Sequence, residues 1–305
     1  MTGDAAGAPT PFADRLADAV ERKRSQLVVG LDPVVELLPV ELRGEADAGR
    51  AAAAGAVERF CKGIVDAVAP YVVAVKPQVA FFEALGSDGW RAFESVARYA
   101  REAGLLVIAD AKRGDIGSTA RAYAAAFLEP ASGVAPLADA LTVNPYLGRD
   151  SVDPFLAACR RDGAGVFLLV RTSNAGATEL QDAMLADGRP LWQHVAQLVD
   201  EWGEDLIGAG GLSSVGAVVG ATVPRIVGEA RRAMPRAIIL LPGVGAQGAT
   251  PADVARAFTA GPASALVTAS RSVIFAYRES EADWRSAAGA EAQQLAAQVW
   301  AAAGW

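Results

Sequence analysis

The sequence has little of what metal, redox and triad chemistry usually needs: one histidine and two cysteines in 305 residues. His194 has no carboxylate or thiol at motif spacing around it, so it reads as a surface or packing residue, and zinc and Ser–His–Asp chemistries are set aside. Cys61 and Cys159 lie far apart in apolar, helical-looking contexts. They read as reduced core thiols of a cytoplasmic protein, not as a disulfide pair. No apolar run approaches the ~18 residues a membrane span needs. Residues 1–11 hold no basic segment followed by an apolar one, and read as a frayed leader rather than a signal peptide. Basic residues number 28 against 35 acidic, a net charge of −7. That argues against a general nucleic-acid or anionic-membrane surface, although a local pocket of cations and backbone N–H groups can still hold a small anion. The G-x-G-x-x-G signature of dinucleotide binding is absent after the first apolar run.

What is present is a chain able to bury a large core, 52% hydrophobic and 21% charged. Short apolar runs rich in branched residues alternate with amphipathic segments. Strands are expected at residues 27–32, 71–77, 105–109, 141–145, 165–171, 215–222, 237–242 and 265–269. Helices are expected at 12–24, 55–69, 90–103, 118–128, 155–161, 190–202, 225–234, 251–259 and 284–303. Residues 34–52 read as a polar, Ala-rich connection, and the Gly-rich stretch 204–214 has no clear assignment. The six tryptophans, Trp300 and Trp305 among them, read as packing residues, with Trp305 at the terminus left open as an exposed or dimer-contact residue. About eight βα units with no linker fit one (β/α)8 barrel domain over residues 1–305, with a doubly wound open sheet as the alternative.

The strand ends carry the charge. The first ends in Asp32, the second in Lys76, and the third runs into Asp110-Ala111-Lys112-Arg113-Gly114-Asp115. Alternation along a strand points Asp110 and Lys112 the same way if the strand persists, and Gly114 lets the chain turn before Asp115. In a barrel these ends meet at one mouth, where alternating opposite charges hold both lysines cationic. After the seventh strand comes Pro242-Gly243-Val244-Gly245-Ala246-Gln247-Gly248, and after the eighth Ser270-Arg271-Ser272. A glycine-rich loop beside an arginine fork, on the last two strands of a barrel, suits a phosphate.

These residues resemble the D-x-K-x-x-D signature of the orotidine 5'-phosphate decarboxylases. The similarity extends to Gly30-Leu31-Asp32-Pro33, Val75-Lys76-Pro77, Ser173, the 242–248 loop and Arg271, in the family's order. Asn144-Pro145-Tyr146-Leu147-Gly148, Arg171-Thr172-Ser173-Asn174 and the chain's length look like the longer bacterial branch found in mycobacteria. The resemblance implies a barrel enzyme acting without metal or cofactor in a homodimer with shared active sites. It implies Lys112 as proton donor to C6 of the pyrimidine, Asp110 beside the substrate carboxylate, and Lys76 and Asp32 completing the charged network and holding the ribose hydroxyls. Ser173 would bond the pyrimidine edge. Pro242, Gln247 and Arg271 would line the 5'-phosphate site. Ser270, where the family often has Gly, would add a phosphate contact or fill space. Asp115 and Thr119 would reach into the partner's site. The sequence departs from shorter members between Gln181 and Ser214, an insertion that leaves the fifth-to-sixth unit boundary open. Relatives sharing D-x-K-x-x-D, the hexulose-phosphate synthases and ketogulonate-phosphate decarboxylases, hold Mg²⁺ partly with a Glu at the end of strand two; Lys76 stands there in this chain. A non-catalytic sugar-phosphate binder would need Arg271 and Gln247 but has no use for the lysines and carboxylates at the mouth.

Overall fold

The computed structural model describes residues 9–131, 134–244 and 248–305. Residues 1–8 of the expected leader and Gln247 of the glycine-rich loop lie outside the described residues. Eight parallel strands close into a barrel: β1 (Leu27–Leu31), β2 (Ala74–Pro77), β3 (Leu106–Arg113), β4 (Ala140–Val143), β5 (Gly165–Arg171), β6 (Ser213–Val219), β7 (Ala237–Pro242) and β8 (Ala265–Ala269). β1 pairs with both β2 and β8, so the sheet is a closed barrel and not an open, doubly wound one.

Alternation along each strand makes two separate cores. Leu27, Val29 and Leu31 face the surrounding helices with Val107, Leu141 and Val267. Val28, Ala74, Ile108, Ala140, Phe167 and Ile238 fill the barrel. The N-terminal helix Phe12–Lys23 closes the barrel floor, with Phe12, Leu16 and Val20 packed into that inner cluster. Phe12 meets Phe167 edge-on, ring centroids 5.9 Å apart.

Several elements depart from the sequence expectation. Residues 34–52 are not a plain connection: they hold a turn of 3₁₀ helix, the helix Val40–Ala46 and the start of Arg50–Val68. The helix before β5 begins at Arg149 rather than near residue 155, because Pro154 lies in its second turn and forfeits only one backbone bond. β6 starts at Ser213, two residues before the expected strand, and ends at Val219 rather than 222. The stretch 204–214 becomes a 3₁₀ turn and a tight loop pinned by the Ile207–Ser213 bridge. β3 runs through the charged motif rather than ending before it.

Candidate active site at the barrel mouth

Inward parity sets the site. On β1 the inward series is Val28, Gly30 and then Asp32 just beyond the strand; on β2 it is Ala74 and Lys76; on β3, Ile108 and Asp110. These positions meet at the C-terminal end of the barrel. Asp110 is the hub. Its Oδ2 takes Lys76 Nζ at 2.5 Å and its Oδ1 takes Lys112 Nζ at 2.5 Å. Gln78 Nε2 donates to Oδ2 at 3.2 Å, and Thr142 Oγ1 donates to Oδ1 at 3.0 Å. Lys76 and Asp110 are buried, and the Lys112 side chain is 43% exposed. Of the two ammonium groups, that of Lys112 is thus the one open to the mouth.

Electrostatics keep this set ionised. Burial opposes the charge on Asp110, but the charges and hydrogen bonds of Lys76 and Lys112 outweigh it and hold the carboxyl well below the usual carboxylate range. Burial likewise opposes the charge on Lys76, yet Asp110 and Asp32 raise its pKa above the ordinary lysine value.

The remaining expected residues fall as follows. Asp32 lies near the same mouth, but its Oδ1 is buried without a hydrogen-bond partner, so it stands beside the ion-paired network and is not paired into it. Ser270 Oγ occupies the space above Gly30: a Cβ at residue 30 would come within 1.9 Å of it. Arg271 is exposed at the start of the short helix after β8, where its carbonyl accepts the Phe275 N–H at 3.2 Å and its guanidinium makes no hydrogen bond or ion pair among the described residues. Pro242 ends β7 beside Thr268 of β8. The loop stem is pinched by a bridge from Val244 to Ala249, with Gly243 and Gly248 at φ 110° and 87°. Ser173 packs on Gly220, where a Cβ would lie 2.8 Å from the serine's own. Asp115 accepts the Ile116 N–H at 2.7 Å, and Thr119 is exposed. The chain leaves β3 at Gly114, while the left-handed backbone lies to either side, at Lys112, φ 47°, and Gly117, φ 53°. Gly114 instead gives close approach to Asn144, whose carbonyl oxygen would lie 3.0 Å from a Cβ there.

Arg113, between the two charged positions in sequence, points away from them. It pairs with Glu83 and stacks near Tyr123 and Phe127. His194 is half-buried along an apolar groove of about 530 Å³ between the helix Leu191–Trp202 and the loop after β4. Cys61 and Cys159 are buried free thiols, pushed up by burial. Among the described residues no cluster of His, Cys, Asp and Glu is arranged to hold a metal ion. No described helix is long and apolar enough to cross a membrane.

Sequence reasoning missed Thr142 and Gln78. Both left a faint signal. Thr142 is the one polar residue of an apolar strand, and Gln78 follows Lys76 at the same parity.

Comparisons with known proteins agree on one relationship. Residues 25–286 match the model of the orotidine 5'-phosphate decarboxylase / HUMPS family. An orotidine 5'-phosphate decarboxylase of Rhodopirellula baltica is 46% identical over 298 residues, covering 94% of this chain and 98% of that protein. A solved structure from Streptomyces avermitilis matches over 100% of both chains at 38% identity, TM-score 0.83. The structure of Leishmania donovani OMP decarboxylase matches 96% of this chain and 98% of its own at 32% identity, TM-score 0.73.

Proposed function

Because the chain belongs to the orotidine 5'-phosphate decarboxylase / HUMPS family, we propose that it decarboxylates orotidine 5'-phosphate to UMP, the last step of de novo pyrimidine synthesis, without metal or cofactor. The observation that carries this reading is Asp110 bridging two lysines at the mouth. The family's name spans metal-dependent relatives too. Lys76 discriminates, because a buried ammonium at the end of β2 repels a divalent cation where those relatives offer a carboxylate.

The chemistry follows from the charges. Cleavage of the C6–carboxylate bond releases CO₂ and leaves the bonding pair on C6. Lys112 Nζ, held by Asp110 and open to the mouth, stabilises that carbanion and delivers its proton; solvent reprotonates the amine. Asp110 faces the substrate carboxylate. Asp32, with an unpartnered buried oxygen, accepts from a ribose hydroxyl alongside Lys76. Ser173 bonds the pyrimidine edge. Arg271 and Gln247 hold the 5'-phosphate, with Pro242 and Ser270 lining its approach. Phosphate binding, remote from C6, offsets the cost of desolvating the charged cluster.

We read the whole chain as one barrel domain acting in the cytoplasm, in a homodimer whose sites are shared. Two features support the dimer. Asp115 is tied to its own backbone and not to Asp110 or Lys112. Near it Ile116, Tyr146 and Leu147 are 57%, 72% and 50% exposed, large apolar side chains suited to a second copy.

The test is the fall in ultraviolet absorbance when orotidine 5'-phosphate is added in EDTA. Turnover in EDTA is expected. Loss of turnover that Mg²⁺ restores sinks the metal-free mechanism, and no change under either condition sinks the assignment. Lys112→Ala is expected to lower kcat at least about a thousandfold while UMP binding stays within a few-fold. Near-wild-type turnover removes Lys112 as proton donor.

A further inference from the structure

The ladder between β3 and β4 is broken where the charged motif lies. Ala109 pairs with Leu141 and Arg113 with Val143, so four steps of β3 span two steps of β4. Such a bulge re-aims side chains. Inside it Lys112 adopts a left-handed backbone, φ 47°, which is costly for a residue with a Cβ. The β4 residue opposite the bulge is Thr142.

Thr142 is 1% exposed. Its Oγ1 accepts from the Lys112 backbone N–H at 2.9 Å and donates to Asp110 Oδ1 at 3.0 Å. The same Oδ1 takes Lys112 Nζ at 2.5 Å. An amide N–H can only donate and an ionised carboxylate can only accept, which fixes the direction of both bonds. One hydroxyl therefore closes a ring: Lys112 backbone, Thr142, Asp110, Lys112 ammonium. It replaces the ladder bond the bulge removes and ties both ends of the lysine to the carboxylate.

We propose that Thr142 is a positioning residue for the reaction: its hydroxyl holds Lys112 in the left-handed turn and aims the ammonium at the reacting carbon. This rests on the reading of Lys112 as proton donor. Thr142 acts through Asp110 and Lys112, the two groups that its hydroxyl bonds.

The experiment compares wild type, Thr142→Val and Thr142→Ser. Val keeps the shape and removes the hydroxyl; Ser keeps the hydroxyl. Expected for Val is a kcat lower by roughly tenfold to a hundredfold, with KM and UMP affinity within about threefold, since the lost bond acts on the proton donor and not on nucleotide binding. Ser is expected to recover kcat to within about threefold of wild type. A Val variant with kcat within about twofold of wild type overturns the proposal. So does a Val variant whose UMP binding falls in step with kcat and which Ser does not rescue, because that is the signature of lost packing. If Val does not fold, Thr142→Cys, a weaker donor of similar size, is read by the same criteria. Wild type inactive on orotidine 5'-phosphate refutes the assigned reaction, whereas active wild type with an unaffected Val variant refutes only the role of Thr142.

Discussion

At the scale of single residues, Asp110 decides the electrostatics of the mouth. Buried ion pairs gain little over apolar packing, but removing one partner strands a charge. Asp110→Asn strands Lys76, and is expected to lower stability at pH 7 by about 3 kcal/mol or more. The pH dependence has a definite sign. Asp110 is held below the ordinary carboxylate range, so in the neighbourhood of pH 4 and below the unfolded chain binds its proton before the folded one does. Its contribution is present above that range and lost as pH falls through the folded value. Lys76, raised above the ordinary lysine value, contributes below that value and loses its contribution only as pH rises beyond it. Urea midpoints for wild type and Asp110→Asn should therefore differ by a constant amount from about pH 5 to 9 and converge in acid. A gap that persists undiminished to pH 3, or a more stable variant, contradicts this account.

The same scale shows why part of the site was legible and part was not. Asp32, Lys76, Asp110 and Lys112 stand out because a charge closing a buried apolar strand has few structural uses. Thr142 and Gln78 do not stand out, because their significance lies across the sheet, in a register that the sequence of one strand does not display. Asp32 helps raise the Lys76 pKa without an ion pair of its own, because proximity of strand ends does not fix side-chain pairing and Asp110 takes both lysines.

At the scale of elements, β5, β7 and β8 and the last helix lie where periodicity puts them, because buried parallel strands are uninterrupted branched runs and a long helix offers many turns of evidence. Charged residues read as a strand's end, whereas at the barrel mouth they continue β3 to Arg113. The segment after β5 is opaque in the sequence for another reason: it is held by side chains. Arg171 makes a two-pronged pair with Asp182, Nε to Oδ1 at 2.8 Å and Nη2 to Oδ2 at 3.0 Å. Gln181 Oε1 accepts the Thr172 N–H at 2.8 Å, and Gln181 Nε2 donates to Thr172 Oγ1 at 2.8 Å. This latch fixes the two residues before Ser173. Asp182→Ala is expected to raise KM for orotidine 5'-phosphate by about tenfold with kcat changed less than about threefold, a Coulombic and hydrogen-bonding loss felt in binding. Steady-state kinetics at saturating and limiting substrate separate the two. A KM unchanged within error removes this latch from substrate positioning.

At the scale of the whole molecule, floor and mouth are built differently. The floor is cross-linked: buried Arg231 donates to the carbonyls of Ala257 at 2.9 Å, Ala237 at 2.8 Å and Ser264 at 2.6 Å, stitching the lower ends of β7 and β8 to the helical layer. The mouth leaves Asp115 and Thr119 unconnected to the lysines of their own chain, beside exposed Ile116, Tyr146 and Leu147. If Asp115 serves a partner's site, a dimer of one Lys112→Ala subunit and one Asp115→Ala subunit contains one site with both residues intact and one with neither. Each parental homodimer is expected to lose activity by about a hundredfold or more. The heterodimer, co-expressed with two different affinity tags and isolated through both, is expected to show about half the wild-type activity per dimer, because one of its two symmetric sites is whole. If Asp115 serves its own subunit instead, every site in that heterodimer carries one lesion, and its activity stays at the level of the parents.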